Sequence, residues 1–206
     1  MRWAIAVGGI GVIAAVVLIF FYLLWVVFPL FTSAETRLVE EWRAPHWQDS
    51  TPIYLAVEEQ QEVAIRVSTS GQVQFFHVAG GQPLQEASLP LGPGAAAVLA
   101  VDAVERHGLV AVATDAGQAL VFRHQYETRF QGGVETREIL PQLEFPYGEA
   151  PLLDVSGSDP VGLALSDNDD SLLLAAVSRD RLLRVNLADK SENFLSGEVT
   201  LEPDVR

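Results

Sequence analysis

The side chains that could do chemistry are few and scattered. The four histidines are His46, His77, His107 and His124. None has a second ligand two to four residues away, so no metal-binding spacing is present. Asp167, Asn168, Asp169 and Asp170 form a run of oxygen ligands. A calcium loop would need a glycine after the third ligand and a glutamate further on, and neither is there. The run reads as a solvated turn between two strands. Gly80-Gly81 and Gly92-Pro93-Gly94 lack the lysine and the following helix of a phosphate-binding loop, and they too read as turns. There is no nucleophilic-serine elbow, no singled-out carboxylate pair and no cysteine. The expectation is a protein without enzymatic chemistry, metal or cofactor. His77 and His124 recur at the ends of similar strands, which reads as a structural repeat.

The elements around these residues carry more information. Residues 3–31 read WAIAVGGIGVIAAVVLIFFYLLWVVFPLF, without a single charge. About 20 apolar residues at 1.5 Å each cross a bilayer core, so this run spans it with some tilt. Trp3 and Trp25 lie roughly 33 Å apart along a helix and suit the two interface belts. Pro29 marks the exit. Arg2 and the amino terminus are the only positive charges before the run, which favours a cytoplasmic N-terminus. A cleavable signal peptide is the competing reading, with Thr32-Ser33-Ala34 as its small-residue site, but the apolar stretch is about twice the usual length. Ala4, Gly8, Gly11 and Ala15 fall on one helical face, the kind of small-residue face on which membrane helices pack.

From residue 35 onward, 12 basic residues face 27 acidic ones, a net charge of −15. Such a domain repels nucleic acid and other polyanions. Lys190 is the single lysine. A short helix is expected over Leu38–Trp42, closed by Pro45. With Trp42 and Trp47 it lies either on the membrane surface or in a linker with buried tryptophans.

From residue 52 the chain becomes short apolar runs separated by turn residues, an all-β pattern. Three stretches superimpose. Ile53–Val57, Glu62–Ser68 and Gln72–Val78 make the first, with a turn at Ser70-Gly71. Val98–Val104, Leu109–Thr114 and Gln118–His124 make the second, turning at Asp115-Ala116-Gly117. Val161–Leu165, Ser171–Val177 and Arg181–Leu187 make the third, turning at Arg179-Asp180. Strand, strand, turn, strand with room for a fourth is the pattern of WD40-like propeller blades, and about three fit. The longer second interval, Tyr126 to Pro151, reads as an extended outer hairpin or loop. Residues 199–206, VTLEPDVR, read as the start of another strand, so the propeller is expected to be incomplete at Arg206. The organisation expected is a transmembrane helix over 1–31, a juxtamembrane linker over 32–51, and a partial β-propeller-like domain over 52–206.

Four phrases resemble the N-terminal region of Pst-type phosphate ABC transporter permeases with a large periplasmic insert. They are Ile19-Phe20-Phe21-Tyr22 with Pro29-Leu30-Phe31, Ala56-Val57-Glu58-Glu59-Gln60, Gly117–His124 (GQALVFRH), and Glu144–Pro151 (EFPYGEAP). The resemblance implies a first permease helix in the bacterial inner membrane, N-terminus in the cytoplasm, and a periplasmic domain acting in docking or access control. Its implied partners are further transmembrane helices, an ABC ATPase and a periplasmic binding protein. No phosphate-handling residue carries over, the translocation core has no counterpart here, and the charge of −15 opposes electrostatic capture of phosphate. The alternative is a single-pass, membrane-anchored periplasmic propeller that serves as a scaffold or sensor. A membrane-tethered enzyme is a third reading, from fold analogy alone.

Overall fold

The computed structural model describes residues 2–31, 35–42, 51–130, 137–152, 154–155, 159–192 and 199–203. The chain divides into two units, Met1–Glu41 and Trp42–Arg206.

In the first unit, α1 runs Arg2–Val27 and tightens into a 3-10 turn at Phe28–Phe31. Pro29 cannot donate to the helical ladder, so the regular helix ends just before it. Every described side chain from Val7 to Phe31 is exposed, so the helix presents apolar side chains on all sides. The apolar stretch Val7–Phe31 is long enough to cross a membrane. Residues 35–42 form no regular structure, which corrects the helix expected over Leu38–Trp42. So short a segment is below the length at which helix propagation outweighs nucleation.

The second unit is all β. Its first sheet is β1 (Pro52–Val57), β2 (Val63–Ser68), β3 (Gln72–His77) and β4 (Pro83–Ser88), in that spatial order. The second is β5 (Val98–Val104), β6 (Leu109–Thr114), β7 (Ala119–Phe130) and β8 (Arg137–Glu144). The third is β9 (Pro160–Asp167), β10 (Ser171–Ser178), β11 (Leu183–Glu192) and β12 (Val199–Pro203). Each is a four-stranded antiparallel meander, a propeller-like blade. The strand expected to start at 199 is β12, which pairs with β11 as the fourth strand of blade 3. The hairpin β7–β8 runs from Arg123↔Glu144 out to Phe130↔Arg137, the extended hairpin expected between Tyr126 and Pro151.

The repeat holds to the level of single hydrogen bonds. In each blade the hairpin between the second and third strands begins at a hydroxyl residue: Ser68, Thr114 or Ser178. Each hydroxyl donates to the carbonyl four residues on, at Gln72, Gln118 or Leu182 (3.4, 3.3 and 3.5 Å). Three residues after the hydroxyl the chain turns left-handed, at Gly71, Gly117 and Arg181. The residue after the hydroxyl donates its N–H to the residue just before the blade's first strand: Thr69 to Thr51, Asp115 to Ala97, Arg179 to Asp159.

The core lies between blades. Ile65, Val67, Val73 and Phe75 of blade 1 meet Val110, Val112, Leu120 and Phe122 of blade 2. The opposite face of blade 2, with Leu109, Ala111, Ala119 and Val121, meets Leu165, Leu172 and Leu174 of blade 3. Blade 2 is therefore covered on both sides, and all six residues of β6 are buried. This is why LVAVAT reads as a continuous apolar run with no polar alternation. Each fully buried side chain of this size contributes about 1.5–3 kcal/mol.

Candidate functional site at the blade junctions

Polar side chains gather where blades meet. At the junction of blades 1 and 2, the Tyr54 hydroxyl in β1 lies 3.1 Å from His124 Nε2 in β7. The His124 ring meets the edge of Tyr126 at 5.6 Å, and Tyr126 stands edge-on to Phe75 at 6.2 Å. Burial pushes the His124 imidazole down to about 4, so it is neutral at pH 7. Burial, reinforced by the charge of Glu105, pushes Tyr54 up to about 12. Burial raises Tyr126 as well, with lesser effects from Tyr54 and Glu58. His124 Nδ1 and the Tyr126 hydroxyl are buried without a protein partner among the described residues. Both residues line a cavity of about 340 Å³, together with Glu58–Gln60 and Glu105–Gly108.

Gly108 is required there. It turns left-handed at φ 60°, and a Cβ on it would stand 2.3 Å from the His124 carbonyl oxygen, which accepts no closer approach. The His124 N–H in turn donates to the Gly108 carbonyl (2.9 Å). Glu58, also buried, turns its carboxylate inward on its own loop and accepts from the N–H groups of Gln60 (2.6 Å) and Glu62 (2.8 Å). The His124 and Tyr126 side chains offer neutral hydrogen bonding, beside the charged Glu58, Glu59, Glu105 and Arg106 that also line the cavity. A histidine whose value is near 4 is a weak base at pH 7, poorly matched to general-base work.

At the junction of blades 2 and 3, Asp167 is the hub. Lys190 Nζ sits 2.7 Å from Asp167 Oδ1, and the Tyr147 hydroxyl donates to the same oxygen at 2.9 Å. His107 Nδ1 lies 3.5 Å from Oδ2. The Lys190 ammonium also donates to the Asn168 carbonyl and stands 5.8 Å over the Tyr147 ring. Burial alone would raise Asp167, but hydrogen bonds from Lys190 and Tyr147 outweigh it and hold the carboxyl below its usual range. Lys190 is raised for the reciprocal reason: its bonds to Asp167 and Tyr147 outweigh the effect of burial. Nearby, the Leu165 N–H of β9 donates to Asp102 Oδ2 of β5 at 2.7 Å.

These positions revise several sequence expectations. Asp167 is not part of a solvated turn; its side chain is only 8% exposed, and through His107 and Tyr147 it ties blade 3 to blade 2. Asn168, Asp169 and Asp170 do form the turn, with the Asn168 N–H donating to Ser171. His77 and His124 are not equivalent. His77 pairs with Val63 and its counterpart opposite Leu109 is Arg123, so His124 is one residue further on. One residue along a strand changes the face, which is why His77 is exposed and His124 is turned inward. His46 lies outside the described residues, as does Trp47. Trp42 belongs to the β unit, where its ring meets Phe76 at 5.5 Å and its Nε1 donates to Val78 (3.1 Å). Gly80, Gly81, Gly92 and Gly94 all sit in left-handed loop positions. On the helix, Gly8, Gly11 and Ala15 are exposed, and a Cβ on either glycine would meet nothing within 4 Å; Ala4 belongs to the same helix. Among the described residues, no group of three or more His, Asp or Glu is placed to hold a metal ion.

Sequence reasoning missed Tyr54, Tyr126 and Tyr147. The chain has four tyrosines, and all three outside α1 stand at blade junctions. A buried tyrosine in an otherwise apolar strand needs a partner for its hydroxyl, and that signal was available.

No protein-family model matches the sequence, and no curated protein does. Among solved structures, Kluyveromyces lactis Hsv2p is 14% identical with a TM-score of 0.41, covering 76% of this chain and 47% of that one. A candidate 6-phosphogluconolactonase from Bacteroides fragilis is 15% identical with a TM-score of 0.38, covering 74% of this chain and 38% of that one. The chain spans less than half the length of either, and its description as blades rests on strand order and the repeated turns.

Proposed function

We propose that this chain is a single-pass, membrane-anchored β-blade module of the bacterial cell envelope, acting by binding as a scaffold or sensor rather than by catalysis. The observation that carries it is the pairing of two units: a helix apolar on every side, and a blade domain whose clustered polar groups serve blade cohesion. An all-round apolar helix of this length is suited to lipid and not to water. The test is extraction of membranes with alkaline carbonate, followed by sequencing of the retained chain. Retention with residues 1–31 intact is expected. Release of a chain beginning near Ala34 would establish a signal peptide and end the anchor.

A second reading is the first helix and periplasmic insert of a Pst-type phosphate permease. Its support is the four phrases of resemblance, two of which meet in space: Glu58–Gln60 and His124 line the same cavity. In that reading the domain docks a binding protein or governs access, and an ABC ATPase and further membrane helices are its partners. Co-purification with an ATPase subunit and loss of phosphate uptake on deletion of the gene are expected; unchanged uptake would sink it.

A further inference from the structure

The two blade junctions use the same positions. In blade 1 the pairs Ile65↔Phe75 and Val67↔Val73 face blade 2. In blade 2 the equivalent pairs are Ala111↔Val121 and Ala113↔Ala119, of which Ala111, Ala119 and Val121 pack against blade 3. In blade 3 the equivalent pairs are Ala175↔Val185 and Val177↔Leu183, joined by Leu173↔Leu187. All six residues are apolar, yet Leu183 is 61% and Val185 59% exposed. The strand alternation makes the point clearly: in β10, Leu172, Leu174 and Ala176 are buried while Leu173, Ala175 and Val177 are only half-buried.

The other end of the stack is built differently. The outward pairs of blade 1 are Arg66↔Gln74 and Ala64↔Phe76. Gln74 donates to Glu86 at 2.6 Å and Trp42 stands against Phe76, so the β2–β3 centre of that face is buried, while Leu55 and Val57 on β1 at its inner edge stay exposed. A polar, covered outer face is what a terminal repeat needs; an open apolar one is what an internal repeat presents to its neighbour.

We infer that the outer face of blade 3 is an interaction surface for a further four-stranded blade, seated on Ala175, Leu183 and Val185 as blade 3 is seated on Ala111, Ala119 and Val121. The blade comes from outside these 206 residues, because every strand described here already belongs to a sheet. A second copy stacked head to tail would meet the centre of blade 1's outer face, where Arg66, Gln74 and Phe76 are already covered, so it is an outcome that the test distinguishes and not the expected occupant. Two copies face to face would bring together domains of net charge −15 each. This names the partner of the binding module proposed above and rests on that reading, but not on the membrane anchor.

The experiment places a photo-reactive benzoyl-phenylalanine at Val185 in the full-length chain, in its own cells, and sequences the peptide captured on irradiation. A control carries the probe at Gln85, exposed on β4. The expected adduct at Val185, absent at Gln85, is a peptide from outside residues 1–206 with strand-type apolar alternation. Adding Leu183→Asp should lower its yield about tenfold without moving the unfolding midpoint of the purified chain, because Leu183 is exposed there. An adduct to a second copy, whether to its residues 160–192 or to its blade 1, an adduct to lipid alone, or none at all would overturn the inference. Membrane retention is scored on the same samples, so loss of the anchor and loss of the blade contact are read separately.

Discussion

Tyr54 and His124, 70 residues apart in sequence, meet at 3.1 Å across the junction of blades 1 and 2. Burial at that junction keeps the imidazole neutral and makes folding sensitive to mild acid. The folded-state value is about 4, against about 6.5 for an unperturbed histidine. The unfolded chain therefore takes up a proton first as the pH falls. Stability contributed by neutral His124 is complete above about pH 6.5 and declines as the pH drops toward 4. The loss amounts to up to about 3 kcal/mol. Urea unfolding of the full chain in detergent at pH 7.5 and 4.5 measures it. His124→Gln should lower stability at pH 7.5 and flatten the pH dependence; an unchanged slope would refute a buried neutral imidazole.

The ion pair of Asp167 with Lys190 predicts strong coupling. Both side chains are mostly buried, at 8% and 13% exposed, and removing one partner leaves the other without its counter-charge. Lys190→Met should cost about 3–5 kcal/mol. Asp167→Asn should cost less, because the amide still accepts from Tyr147. The double variant should be less damaged than the sum, with a coupling of about 1–3 kcal/mol. Because the Asp167 carboxyl is held low, its contribution is present above about pH 4 and is lost as the pH falls through its folded value. Additive single losses would mean that the pair contributes nothing specific.

Arg181 occupies the left-handed turn position that Gly71 and Gly117 fill in the other blades, at φ 65°. An L side chain there is strained by roughly 1–2 kcal/mol. Arg181→Gly should raise stability by about 1 kcal/mol, and Gly117→Ala should lower it by a similar amount or more. Thermal melts of the two variants check the pair, and a destabilised Arg181→Gly would mean that the side chain holds something the turn needs.

On α1, Gly8 and Gly11 leave open space where a side chain would stand. If Ala4, Gly8, Gly11 and Ala15 seat a neighbouring helix, replacing Gly8 and Gly11 by leucine should weaken helix association in bilayers by roughly 1 kcal/mol. Energy transfer between labelled helices measures this; equal transfer in the variant would remove the packing role.

Most of the architecture was legible in the sequence, for local reasons. The charge-free run 3–31 marks its own helix, since length and composition decide that. The three strand–turn–strand units could be aligned because each turn carries its own signal: a hydroxyl residue, then a left-handed position. What the sequence left open was which side of a strand a residue faces and what waits across a junction. His77 and His124 looked equivalent until the pairing register put them one residue, and so one face, apart. Asp167 looked like the first residue of a solvated turn because Lys190, 23 positions on, reaches it only across the paired strands of blade 3, and Tyr147, 20 positions back, only when that blade packs against the segment after β8. Sheet pairing and blade stacking are long-range contacts; their partners are chosen by packing between strands, and no spacing within a single strand encodes them.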